Sequence, residues 1–242
     1  MRSILTTAVL LAGILKICGA LELNCTYTTR SYDFIGSVYE CDATISAGDI
    51  DKLTSVSGTH QAGKAHANII ALRITYQNLQ SFPVNVEAFF PNLRVLQLYG
   101  NSISEVKNAH LAPFPTLVYL NLYRNKISTI SGNLFDGLDS LQYVSFESND
   151  VRHVGHDLAL PKDGLIFFDT NPCINVRAST PDQIEALRFN ILINCTLIAP
   201  IEAALERRQN VLTSVNDRVG NLEARLDLLE QRESQRAGGE CY

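Results

Sequence analysis

Three residue types in this chain could carry chemistry: cysteine, histidine and tyrosine. The five histidines are His60, His66, His110, His153 and His156, and none has zinc-site spacing to cysteine or carboxylate. His153 and His156 lie three apart, with no third ligand evident. There is no G-x-S-x-G, no glycine loop that would cradle phosphate, no H-E-x-x-H and no carboxylate pair that can be placed. No catalytic residue, metal or cofactor is therefore expected. Tyrosine behaves differently: Tyr99 and Tyr123 are 24 residues apart, as are Tyr119 and Tyr143. Tyrosine combines a large contact area, few rotors and a hydrogen-bonding tip, which is recognition chemistry.

That step of 24 belongs to the elements that must hold these tyrosines. IIALRITYQNL from Ile69, LRVLQLYGNSI from Leu93, LVYLNLYRNKI from Leu117 and LQYVSFESNDV from Leu141 share one pattern in phase. Each fits L-x-x-L-x-L-x-x-N-x-L, the leucine-rich repeat, in which a short strand lines the inside of a curved solenoid. Apolar residues at the first, fourth, sixth and eleventh positions point inward. The ninth position holds Gln77, Asn101, Asn125, Asn149 and finally Asn171, whose amides can pair backbone groups where the chain leaves each strand. Phe90, Phe114 and Leu138 form a further buried row on the outer arc. Strand alternation sends the third, fifth and seventh positions to the concave side. They form three ladders: Ala71, Val95, Tyr119, Tyr143; Arg73, Gln97, Asn121, Ser145; and Thr75, Tyr99, Tyr123, Glu147. The expected binding face is Arg73, Gln97, Tyr99, Tyr119, Asn121, Tyr123, Tyr143 and Glu147.

Cysteine chemistry frames the repeats. Residues 1–20 read as a secretory signal, with Arg2, an apolar run from Ile4 to Ile17 and small residues Cys18-Gly19-Ala20 before the cut. Its removal takes away Arg2 and Lys16 and no acid, moving the formal charge from −5 to −7. No basic run remains to favour nucleic acid or anionic membrane, and no later stretch reaches the ~20 apolar residues of a membrane span. A secreted chain in an oxidising compartment is the expectation. Of the five remaining cysteines, Cys25 and Cys41 precede the repeats, and Cys173 and Cys195 follow them. Position suggests Cys25 with Cys41 and Cys173 with Cys195, one disulfide for each end cap, leaving Cys241 for a partner chain. Asn24-Cys25-Thr26 and Asn194-Cys195-Thr196 are sequons, making Asn24 and Asn194 glycosylation candidates.

The expected architecture is an α/β leucine-rich-repeat solenoid: a short curved parallel sheet with disulfide caps at both ends, then a long C-terminal coiled-coil helix. Residues 21–68 form the N-terminal cap, with short strands around Tyr27 and Val38–Cys41 and irregular structure over 46–67. Repeats occupy 69–162. A closing strand, LIFFDTNPC, and cap follow over 163–199, where a helix begins at Thr180-Pro181-Asp182-Gln183 and turns Ile184, Leu187, Ile191 and Leu192 onto the last repeat. Over 200–233, Ile201, Leu205, Arg208, Leu212, Val215, Val219, Leu222, Leu226 and Leu229 alternate by fours and threes, a coiled-coil seam interrupted at Arg208. Arg218 with Glu223, and Arg225 with Glu230, have g-to-e spacing for parallel helices in register. Residues 234–242 are a tail in which Gly238-Gly239 tethers Cys241.

Signal, cysteine cap, repeats, cysteine cap, coiled coil and extra cysteine, in that order, resemble the secreted leucine-rich immune proteins of mosquitoes, particularly their short members. The resemblance implies circulation in haemolymph, disulfide-linked dimers and a complement-like thioester protein as partner. The chain differs in having few repeats and no adjacent cysteine pair between repeats and coil. The expected function is a non-catalytic, protein-binding recognition or scaffold protein, homo- or heterodimeric through its coil. An extracellular matrix protein and an inhibitor of an extracellular enzyme are the alternatives.

Overall fold

The computed structural model describes residues 20–47, 52–196 and 198–237. The signal segment, the Gly238-Gly239 tether and Cys241 lie outside the described residues, as do the side chains of Ile201, Leu205 and Glu230. The chain divides into two units, Met1–Cys195 and Thr196–Tyr242.

In chain order the first unit contains β1 (Leu21–Tyr32), β2 (Gly36–Ala47), β3 (Leu53–Ser57), β4 (Ala71–Ile74), β5 (Val95–Gln97), α1 (Asn108–Leu111), β6 (Tyr119–Asn121), β7 (Thr129–Ile130), β8 (Tyr143–Ser145), β9 (His153–Val154), β10 (Leu165–Phe167), β11 (Arg177–Ala178) and α2 (Pro181–Asn194). Among the described residues one nine-stranded sheet runs β11-β10-β8-β6-β5-β4-β2-β1-β3, and β7 pairs with β9 apart from it. The repeat strands pair parallel and in register, Ala71 with Val95, Val95 with Tyr119 and Tyr119 with Tyr143.

The repeat leucines hold this curved sheet together. Ile69, Leu93, Leu117 and Leu141 at the first position are buried, with Leu72, Leu96, Leu120 and Val144 at the fourth and Ile74, Leu98, Leu122 and Phe146 at the sixth. Phe90, Phe114 and Leu138 join the same core from the outer arc. The asparagine row satisfies the backbone at each exit from a strand. Asn101 donates to the carbonyls of Ile74 (2.8 Å) and Leu98 (2.9 Å), while its oxygen accepts from the N–H groups of Gln77 (3.0 Å) and Leu79 (3.1 Å). Asn125, Asn149 and Asn171 repeat the scheme. Gln77, one carbon longer, reaches the cap and accepts from the Ile45 N–H at 3.1 Å.

The N-terminal cap is more regular than its sequence predicts. β1 and β2 are 12 residues each and form a long antiparallel hairpin. β2 continues the solenoid sheet by pairing parallel with β4, Glu40 opposite Ala71 and Asp42 opposite Arg73. The stretch expected to be irregular contains β3, parallel to the start of β1, and a 3₁₀ turn at His66–Asn68. Leu53 is buried there, so burial against β1 stabilises a strand that repeat templates do not contain. Cys25 is bonded to Cys41 and Cys173 to Cys195.

At the other end the repeat shortens by two residues, and Asp163 takes the first-position place that Ile69, Leu93, Leu117 and Leu141 hold in the earlier repeats. A pocket of about 520 Å³ lies beside it, lined by Leu138, Leu141, Gln142, Leu160 and Asp163 among others. α2 starts at the Thr180 N-cap, whose hydroxyl oxygen accepts from the Gln183 N–H. Ile184, Leu187 and Ile191 are buried, but Leu192 is exposed. One residue on is about 100° around a helix of 3.6 residues per turn, so Leu192 leaves the stripe that the other three share.

The second unit contains one helix, α3 (Ile198–Ala237), of 40 residues. Leu212, Val215, Val219, Leu222, Leu226 and Leu229 are all exposed along it. No described helix is long and apolar enough to cross a membrane.

Candidate functional site

The concave face is built from the strand residues that turn away from the main core. Their first row runs Glu40, Ala71, Val95, Tyr119, Tyr143 and the second Asp42, Arg73, Gln97, Asn121, Ser145, Phe167. The hairpin contributes more than two rungs, because its tip leans over the face. Tyr32, Ala71, Val95 and Tyr119 form a second apolar cluster, with Ile35, Val38 and Tyr143 packed against it. Small side chains at Ala71 and Val95 leave the room that Tyr32 and its neighbours fill. The Tyr32 ring meets Tyr119 edge-on at 5.4 Å, and Tyr119 stacks flat on Tyr143 at 3.7 Å.

A carboxylate ties the two strands of the hairpin together near its tip. Glu40 is wholly buried, accepts from Arg30 Nε at 2.8 Å and receives the Tyr32 hydroxyl. A buried carboxylate needs such partners, since an unpaired one would be strongly penalised. Hydrogen bonding and charge attraction from Glu40 raise the Arg30 pKa. Burial, followed by the hydrogen bond to Glu40, pushes the Tyr32 phenol well above its ordinary range. Burial, then donation to Tyr143, does the same to Tyr119, and burial raises Tyr143.

The hairpin narrows the face expected from alternation alone. Gln97 and Asn121 are 8% exposed and Tyr119 9%, with Asn121 donating to Gln97 Oε1 at 3.3 Å. The structure therefore places these three beneath the surface. Arg73, Tyr99, Tyr123 and Glu147 remain half-open on a strip along the strand exits, with Tyr143 half-open at the hairpin rim. Within the strip Arg73 donates to the Tyr99 hydroxyl at 2.6 Å, and Tyr76 meets Tyr99 edge-on at 5.3 Å. Tyr99 and Tyr123 lie 6.4 Å apart, and Arg124 stacks on Tyr123 at 5.0 Å. Arg177 pairs with Asp169 at 3.0 Å and covers the Phe167 ring. Rigid aromatic rings alternating with guanidinium groups suit contact with a protein surface.

Sequence reasoning missed Tyr32, Glu40 and the exposed Tyr76. The signal for Tyr32 was a change of parity in β1, where odd positions Leu21 to Tyr27 are buried and then Tyr32 is. Three of the histidines pack against other rings: His60 stacks on Tyr27 at 3.8 Å, and His66 meets His60 edge-on at 4.8 Å. Burial and then the neighbouring His66 lower the His60 pKa. His110 stacks on Phe82, and His153 and His156 are exposed. Asn24 and Asn194 are both exposed, while Thr196 of the second sequon is buried.

Residues 91–151 match the family model described as leucine rich repeat. No curated protein matches the chain. Among solved structures, the leucine-rich-repeat ectodomain of the receptor kinase SOBIR1 from Arabidopsis thaliana is similar at 17% identity and a TM-score of 0.32, covering 60% of this chain and 68% of that one. The family match falls on the repeats whose strands and asparagine row are described above, and residues 91–151 carry leucine-rich repeats.

Proposed function

We propose that this is a secreted, non-catalytic protein-binding module that meets its partner on the concave strip of Arg73, Tyr99, Tyr123 and Glu147. The observation that carries the reading is that strip: aromatic rings held half-open by neighbouring strands, next to a face the chain's own hairpin has closed. Leucine-rich repeats are built to present such surfaces. Dimerisation through α3 belongs to the same proposal. Its support is a 40-residue helix whose leucines and valines recur at fours and threes and stay exposed. Two heads on one stem would raise apparent affinity for a repetitive target through effective concentration. Cys241 would link the pair, Asn24 and Asn194 would carry glycans, and the family resemblance points to innate immunity with a complement-like thioester protein as partner.

Replacing Tyr99 and Tyr123 together with alanine tests the strip. Partner affinity should fall by about 2 kcal/mol or more, as for central aromatic contacts elsewhere, while secretion and Tm change little because both side chains are half-exposed. Wild-type affinity in that variant would move the binding site elsewhere.

A further inference from the structure

The row of large apolar residues on the outer arc starts with a residue that can take up a proton. One step of 24 before Phe90, Phe114 and Leu138 stands His66. Its ring meets Phe90 edge-on at 5.6 Å and Phe89 at 6.5 Å. His60 packs against it edge-on at 4.8 Å and lies flat on Tyr27 at 3.8 Å. Between Ser57 and Ile69 these two imidazoles are half-buried, and every other residue is exposed. They supply the side-chain burial that holds this loop to the N-terminal cap.

The contacts suit neutral rings. The Tyr39 hydroxyl oxygen accepts from the Gln61 N–H at 3.0 Å, which leaves its proton for His60 Nδ1 at 3.3 Å. Only a neutral imidazole has a lone pair there, so protonation deprives the Tyr39 proton of that acceptor. The groups facing the pair are Tyr27 of β1, Tyr39 of β2, Phe89 and Phe90 ahead of β5, and Lys64 of the loop itself. The Lys64 ammonium lies 5.7 Å from the Tyr39 ring centre. Among the described residues neither imidazole has a carboxylate partner. The face of Tyr27 favours one proton on His60, but a second on His66 sets two cations on touching rings beside Lys64, with no anion to balance them. Burial and then His66 lower the His60 pKa from its ordinary 6.5. The contribution of a neutral His60 is therefore fully present above pH 6.5 and is lost as pH falls below it through the folded value.

We propose that His60 and His66 form an acid-released latch: neutral, they seat residues 58–65 on the end of the outer arc, and charged, they lift that segment off the aromatic wall. Asn92 donates to the Ala67 carbonyl at 2.8 Å, which ties the far end of the loop and keeps β4 in place. The latch is separate from the recognition strip and does not depend on it.

Hydrogen exchange on the full chain, corrected for the intrinsic pH dependence of exchange, tests the latch. The Gln61, Lys64 and Ala65 amides are hydrogen-bonded while the loop is seated. Between about pH 7.5 and about pH 5.5, protection over residues 58–65 should fall about tenfold or more, while β5 and β6 keep theirs. The double variant His60→Phe with His66→Phe extends the aromatic row without a titrating group and should hold the neutral-pH protection at both values. His153→Asn, at an exposed histidine, should behave as wild type. Equal wild-type protection at the two pH values would overturn the latch, and so would an acid loss that persists in the double variant. If that variant does not fold, ring-carbon NMR of labelled histidine in the wild type decides. The His60 and His66 signals should change over the pH interval in which the loop opens; opening with both rings unchanged would overturn the proposal.

Discussion

Individual side chains divide into those whose role follows from type and spacing and those whose role needs a neighbour. Asn101, Asn125 and Asn149 belong to the first group: a short amide at every twenty-fourth position, beside a strand exit, has one obvious task, and each performs it. Tyr119 belongs to the second. Its position in the repeat says that it faces the concave side, but its burial depends on Tyr32, 87 residues earlier in the chain. That burial has a pH consequence. Tyr32 and Tyr119 hold their phenolic protons more tightly folded than unfolded, so their contribution to stability is fully present below the ordinary phenol pKa of 10.0 and declines as pH rises above it. In an alkaline titration these two phenols should ionise only as near-ultraviolet circular dichroism is lost, and Tyr119→Phe should flatten the decline. Reversible ionisation of all nine tyrosines near pH 10.0 with the dichroism intact would contradict their burial.

The repeats were legible as elements because leucine spacing alone dictates them, down to the register of one strand on the next. The cap was less so. β1 and β2 were foreshadowed only in part, because a hairpin of 12-residue strands has no internal repeat and its alternation changes parity between Tyr27 and Tyr32. β3 was missed because its partner, the start of β1, is about 30 residues away and its own five residues are mostly polar. The apolar cluster seats the hairpin on the concave face, and one carboxylate braces the hairpin internally. Glu40→Ala would leave the Tyr32 hydroxyl and Arg30 without their acceptor and should cost about 2–4 kcal/mol in urea unfolding. It should also increase hydrogen exchange at the tip, around Asp33–Ile35. Unchanged stability with protection retained at the tip would mean that the apolar cluster alone secures it.

On the scale of the whole molecule, the chain joins a sheet whose concave face is partly covered by its own cap to a helix that carries exposed leucines and valines. The helix was legible from 3-4 spacing because that period needs no tertiary context, whereas the narrowing of the concave face could not be read without the hairpin. If the seam joins two chains, Leu222→Glu should convert a dimer into a monomer at micromolar concentration, seen by sedimentation equilibrium under reducing conditions, with the repeat unit's Tm unchanged. A monomeric wild type under the same conditions would remove the two-headed arrangement without touching the binding face. The face itself is tested most directly by site-specific photo-crosslinking. A photoreactive phenylalanine analogue in place of Tyr123, or in place of the exposed Ala109 on α1 as control, would be irradiated in the organism's extracellular fluid. A discrete protein adduct at position 123, absent at 109 and competed by unlabelled wild type, is the expected result. Adducts at 109 alone would contradict the concave strip as the site of recognition.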